Sequence, residues 1–142
     1  MTQEDKDLLS KDICARLPYG VKIKTPFFTT ATLISIRKNI NYGANKDLLL
    51  TYDISGEEIP FQTDERMDTI GKIKPYLFPL SSMTEWQERE LEILMKNSIE
   101  SCGMLSPYDC LEMERFFNEN HLDWRGLIPM GLALDATNKN IY

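Results

Sequence analysis

Apolar positions recur at two different periods along the chain, and the switch between them divides it. Over residues 4–16, Leu8, Leu9, Ile13 and Leu17 return near helical spacing, with Lys11, Asp12 and Arg16 largely between them. That spacing predicts a short amphipathic helix. Thr2-Gln3-Glu4-Asp5 has the form of a capping box at its start, and Pro18 and Gly20 end it. From Tyr19 to about Phe61 the period falls to two. Val21 and Ile23 alternate with Lys22 and Lys24, and TTATLISIRK sets Thr30, Thr32, Ile34 and Ile36 on one face. After the Asn/Gly turn cluster NINYGAN, the segments DLLLTYD and EEIPFQ flank Ile54-Ser55-Gly56, a loop of hairpin length. The expected result is four short antiparallel strands in a meander. So small a sheet must have one face covered, either by curling toward an SH3-like half barrel or by lying flat under helices.

Residues 63–83 read as an irregular link, too apolar at Ile70, Ile73, Tyr76, Leu77, Phe78 and Leu80 to hang free. Pro75 and Pro79 forbid a regular helix there, so a turn and a short extended piece across the end of the sheet are expected. Helical spacing returns over 84–102. Trp86, Leu91, Leu94, Met95, Ile99 and Cys102 fall near one stripe, with Glu85, Glu88, Arg89, Glu92 and Lys96 on the other side. Ser82-Met83-Thr84-Glu85 reads as its capping box and Gly103 as its stop. A further helix is expected over 107–120, with Ser106 as cap, Pro107 in the first turn, and Cys110, Met113, Phe116 and Phe117 on its inner face. The remaining tail predicts a helical turn and then an extended piece on the core. The fold class is therefore α+β, in one domain of residues 1–142, with a helix-plus-meander part over 1–80 and a helical part over 81–142.

Charge changes this picture in one respect. The net charge of −6 falls entirely in residues 81–142, because residues 1–80 balance. Phosphate backbones are held by concentrated positive charge, so the second half is a poor nucleic-acid surface. Lys22, Lys24, Arg37, Lys38, Lys72 and Lys74 offer a modest basic patch in the first half. Cys14, Cys102 and Cys110 form no C-x-x-C pair. With an acidic, polar N-terminus, MTQEDKDLLSKD, in place of a secretory signal, they read as reduced thiols of a cytoplasmic protein. Two of them fall on apolar helix faces, where cysteine serves as a small buried hydrophobe. No apolar run approaches a membrane span.

Catalytic patterns are sparse. His121 is the single histidine, and its spacing from the cysteines fits no familiar ligand set, so neither a metal nor a cofactor is expected. Glycine loops for phosphate, H-E-x-x-H and G-x-S-x-G are missing from the sequence. The adjacent pairs Glu57-Glu58 and Asp64-Glu65 would point to opposite faces of a strand and share no acid–base site. Two clusters invite a binding role. Tyr76 and Phe78 belong to a proline-flanked aromatic run that suits peptide or base recognition, and equally suits sealing a core. Trp124 and Arg125 are interface hot-spot types, although Asp123 could cap a turn, Trp124 fill the core and Arg125 pair with a helix carboxylate.

The strings LPYGVKIKT, IKPYLFPLSSMT and FFNENHLDWRGLIPMGLAL, spanning most of the chain, resemble an uncharacterised family of small proteins from bacterial chromosomes and prophages. The middle string is similar to a KPYL-x-P-[ML]-SSMT signature and the third to HHFDYRGLI-x-x-GLAL, with Asn120 in place of the first histidine. The resemblance carries over no catalytic or cofactor residues and implies a bacterial or phage-associated cytoplasmic protein. The leading expectation is a non-enzymatic interaction module that binds another protein. Its rivals are a nucleic-acid-binding protein using the basic face of the sheet, an acidic nucleic-acid mimic that inhibits a host enzyme, and an enzyme built around His121. The inference of a binder rests on the expectation that aromatic and sulphur-bearing side chains fill the interior and leave no reactive cleft.

Overall fold

The first helix begins with a reciprocal cap. The Thr2 N–H donates to the Asp5 carboxylate at 2.8 Å, and the Asp5 N–H donates to the Thr2 hydroxyl at 3.1 Å. These bonds satisfy two of the donors that a helix start leaves open. A computed structural model describes residues 1–28, 30–38, 48–53 and 66–142. In it helix α1 spans Gln3–Arg16 and closes with a single tight turn at Leu17–Tyr19, where Gly20 adopts a left-handed φ of 68°. Among the described residues, strands β1 (Lys22–Lys24), β2 (Ala31–Lys38), β3 (Leu48–Asp53), β4 (Arg66–Thr69), β5 (Lys74–Leu77) and β6 (Leu134–Asp135) make a sheet of order β4-β3-β2-β1-β5-β6.

β1, β2 and β3 are the antiparallel meander that the alternation predicts. The fourth place belongs to β4, and EEIPFQ, NINYGAN, Ile54-Ser55-Gly56 and the two carboxylate pairs lie outside the described residues. Residues 63–83 are not merely an irregular link. β4 and β5 both fall in that stretch, and β5 lies inside the sheet, antiparallel to β1 and parallel to β6. Proline is accommodated at position 75 because β6 pairs only with Tyr76 and Leu77, leaving Pro75 at the open end of that edge. In β2 the pairing slips between Leu33 and Ser35. Ahead of the slip Ala31 and Leu33 are buried; after it Ile36 packs against the core, and Ile34 is turned out to solvent. The predicted inner face of Thr30, Thr32, Ile34 and Ile36 is therefore split by a bulge.

The fold is α+β, and the expected SH3-like half barrel is not formed. β4 and β6 remain separate edges, and a parallel pair closes one side of the sheet. Curling is unnecessary because the core is covered otherwise. Leu9 and Ile13 of α1 pack with Val21, Ile23, Leu33, Leu50, Tyr52, Ile73 and Leu77 of the sheet region and with Leu127, Leu132 and Ala133 of the tail. Non-directional burial of this kind is the main stabilising term in such a domain.

Helices α2 (Glu85–Cys102) and α3 (Pro107–Glu119) form a hairpin turned at Gly103, whose φ of 70° suits glycine. The cap of α2 is Thr84 with Gln87, two residues beyond the expected one. Ser82 instead donates its hydroxyl to the Pro79 carbonyl at 2.7 Å. Ser106 and Asp109 cap α3 as expected. Among the described residues, no side chain of α2 or α3 belongs to the main core cluster. The hairpin is fixed at its base, where Gln87 donates to Asn120 at 3.0 Å, Phe116 is buried, and α3 meets α1.

That meeting runs through Arg16. The sequence pattern places it among polar spacers; the structure buries it completely together with Asp12, one turn earlier. Its Nε and Nη2 donate to the two Asp12 oxygens at 2.8 and 3.0 Å. Nη2 also donates to the Leu122 carbonyl at 2.7 Å, and Nη1 to that of Phe117 at 3.3 Å. Those carbonyls close the C-terminal end of α3, where a cation is favoured. Removing one partner of a buried pair leaves the other charge uncompensated. Arg16→Met is expected to reduce stability by about 3–5 kcal/mol. Asp12→Leu combined with Arg16→Met should lose less than the two single changes added together. Urea unfolding of the three variants measures both.

Candidate functional site

The residues singled out in the sequence fall on two elements. Tyr76 is buried in β5, with the Lys139 ammonium 5.6 Å from its ring, and Phe78 follows half-buried with its ring 5.7 Å from that of Tyr142. Trp124 and Arg125 sit in the turn after α3. Trp124 stacks on Phe117 at 5.9 Å and donates its indole N–H to Asn118 at 3.1 Å. Arg125 lies 4.1 Å over the Trp124 ring, donates to Glu114 at 2.6 Å and comes within 3.4 Å of Asp12. The Asp123 carboxylate accepts from the Leu127 and Ile128 N–H groups at 2.7 and 2.8 Å, capping the turn. The backbones of the two stretches meet, since Phe78 N–H donates to His121 and Asp123 N–H to Phe78. Their side chains engage different neighbours.

The thiols differ from expectation. Cys14 and Cys110 are exposed and free, and the Cys102 side chain lies outside the described residues. Partial burial raises the Cys14 pKa, which keeps it a thiol and weakens it as a nucleophile.

His121 ends α3 in a left-handed conformation with φ of 54°. The Leu122 N–H donates to Phe117 at 2.9 Å and the His121 N–H to Asn118 at 3.2 Å, the bond pattern of a Schellman motif with histidine where glycine is usual. Its buried imidazole stacks on Tyr142 at 4.0 Å and 19°, and its Nδ1 has no partner. The Tyr142 hydroxyl accepts from the Lys22 N–H at 3.0 Å and donates to the Tyr76 carbonyl at 2.7 Å, bridging β1 and β5. Burial raises the phenol pKa and outweighs the opposing effects of the Lys22 N–H and the Arg16 charge, so the proton stays on it. Asp123 is fully engaged in its turn, so the arrangement is a staple between α3 and the sheet.

The exposed chemistry lies on the helical hairpin. The stripe of α2 expected to be buried is largely open, because α2 packs mainly on α3 through the half-buried Gln87, Leu91 and Leu94. Trp86 is 65% exposed and Ile93 51%, while Tyr108 and Leu111 of α3 are 69% and 63% exposed. Met95, Ile99, Met104 and Leu105 are exposed as well. Large aromatic and sulphur-bearing side chains are thus not all used to fill the interior. A different flank of α2 carries an open groove of about 510 Å³ lined, among the described residues, by Met83, Glu88, Leu91, Glu92, Met95, Lys96 and Ile99. Helical periodicity marks which positions share a side, but the sequence carries no signal that this side stays open.

Comparison with known proteins adds no constraint: no family model, no curated protein and no solved structure matches the chain.

Burial first, then the charges of Arg16 and Lys22, pushes the His121 pKa from 6.5 down to about 4, against an opposing hydrogen bond to the Tyr19 backbone. Between those values the unfolded chain binds the proton more readily than the folded one. Stability is therefore expected to fall as pH drops below about 6.5 and to level off near 4, a loss of about 3 kcal/mol. His121→Asn tolerates the left-handed backbone and carries no titrating group. Urea midpoints measured across this range should slope in the wild type and be flatter in the variant.

Proposed function

We propose that the chain is a non-enzymatic interaction module that docks another protein on the α2–α3 hairpin. The observation that supports this most directly is the exposure of Trp86, Ile93, Tyr108 and Leu111 on a helix pair none of whose described side chains joins the main core cluster. Large apolar side chains left in water are candidates for cover by a partner, and Trp and Tyr are the residue types that anchor such contacts. The earlier candidates Trp124 and Arg125 then act as the buttress under α3, with whatever edge they expose adjoining the surface. The resemblance to prophage-encoded proteins would set this module in a bacterial or phage cytoplasm.

A second reading, nucleic-acid binding on the sheet, draws on one observation. Lys24 and Lys74 stand directly opposite each other across β1 and β5, and facing like charges destabilise a sheet unless an anion lies between them. Binding of this kind weakens steeply with salt.

Trp86→Ser with Leu111→Lys is expected to leave stability within about 0.5 kcal/mol, because both side chains are exposed. The same pair should abolish stoichiometric retention of a host protein that the wild-type chain, and an Ile34→Lys control on the sheet, both retain. Quantitative mass spectrometry of tagged chains reads the difference. Equal retention by the hairpin variant, or a metabolite ligand with no retained protein, overturns the interaction reading. A steeply salt-dependent shift of DNA or RNA, lost on Lys24→Glu with Lys74→Glu, would favour the second reading.

A further inference from the structure

The groove on α2 has a shape that selects among macromolecular partners. Apart from Met83, in the turn that leads into the helix, its lining among the described residues comes from α2. Leu91, Met95 and Ile99 form one row at intervals of four, and Glu88, Glu92 and Lys96 form the adjacent row. The furrow between two such rows is the surface into which a row of side chains from a second helix packs. A small rigid ligand would need walls from several elements to bury most of its surface; a furrow on one helix offers it only a floor. Met83 and Met95 add pliable side chains that adjust to the knobs of an incoming helix.

Charge then selects the kind of helix. Residues 85–119 hold nine acidic and three basic side chains, which is the whole net charge of −6. A second copy of this chain would set one acidic hairpin against another. Within the groove the charged row is itself graded: Glu88 and Glu92 lie toward the N-terminal end of α2 and Lys96 toward its C-terminal end. We propose that the groove seats a basic amphipathic helix of a partner protein, its apolar ridge along Leu91, Met95 and Ile99 and its Lys or Arg residues beside Glu88 and Glu92. The proposal rests on the interaction reading above and specifies the partner's chemistry. Rim charges of this kind act mainly on association rate and on the choice of partner.

Two synthetic helices of about five turns serve as probes. They share one leucine ridge, and one carries lysine at its polar positions where the other carries glutamate. Binding to the full chain, followed by calorimetry, should favour the lysine helix by about tenfold or more, with the preference shrinking as salt rises. Met95→Lys, an exposed change, should remove binding of that helix while leaving the melting temperature in place. Glu88→Lys with Glu92→Lys should turn the preference toward the glutamate helix. Equal binding of both probes, binding of neither, or a preference that survives the charge reversal overturns the proposal. So does concentration-dependent dimerisation that Met95→Lys abolishes, which would make a second copy the occupant. A host protein lost on Trp86→Ser with Leu111→Lys yet retained by Met95→Lys would leave the interaction module standing and remove this groove as its seat.

Discussion

The buried Asp12–Arg16 pair is where the parts of this protein are joined. A fully desolvated guanidinium is tolerated only when its donors are used, and here they reach a carboxylate on its own helix and two carbonyls that end another. Arg125 of the tail approaches the same carboxylate at 3.4 Å. One ion pair thereby ties together the first helix, the end of the hairpin and the chain that leads to β6. Directional bonds of this kind fix where α3 must end, which the apolar core, being non-directional, cannot do. The neighbouring histidine belongs to the same system, since the charge of Arg16 is one of the causes that keep its imidazole neutral.

This arrangement divides the chain by energetics. The first helix, the sheet and the tail bury one another, and among the described residues the cluster they form takes no side chain from α2 or α3. The hairpin is held by capping boxes at both helix starts, by its own packing and by its base. Its outer side chains are consequently free of any duty to the core. That is the physical reason exposed substitutions there separate binding from folding, a separation that is unattainable at Tyr76 or Asp123, which the fold itself uses.

Much of the fold was legible because local chemistry and tertiary structure agree. Thr2 with Asp5 and Ser106 with Asp109 mark their helix starts correctly, and Val21, Ile23 and the lysines between them mark β1. Failures came where a local rule met a competing one. Ser82 had the form of a cap, but the Pro79 carbonyl took its hydroxyl and Thr84 caps the helix with Gln87. Pro75 and Pro79 ruled out a helix, and the extended piece they left was expected across the end of the sheet, whereas it joins the sheet as β5. The bulge in β2 is invisible to a period-two count, because one inserted residue reverses the faces that follow. Arg16 looked like a solvated spacer, although its distance of four residues from Asp12 was the available sign of pairing. The candidate surface was the least legible feature. An amphipathic stripe tells which residues share a side; whether that side meets the sheet, a partner or water depends on how the hairpin is anchored, which long-range bonds decide.

The acidic residues of the hairpin have a second consequence beyond partner choice. An exposed strip containing Trp86, Ile93, Tyr108 and Leu111 would drive self-association if its surroundings were neutral. Concentrating the net charge on the same two helices makes copies of the chain repel where they are most apolar. A partner of opposite sign reverses that term, so the same carboxylates that oppose self-association favour a basic helix. Apolar area alone would attract any greasy surface, and acidic charge alone would attract any cation. Placed on adjacent rows of one helix, at intervals of four residues, the two requirements must be met together by a single amphipathic face. Under the proposed reading, the specificity of such a surface would follow from helical geometry, and the face is open because no described side chain of α2 or α3 joins the main core.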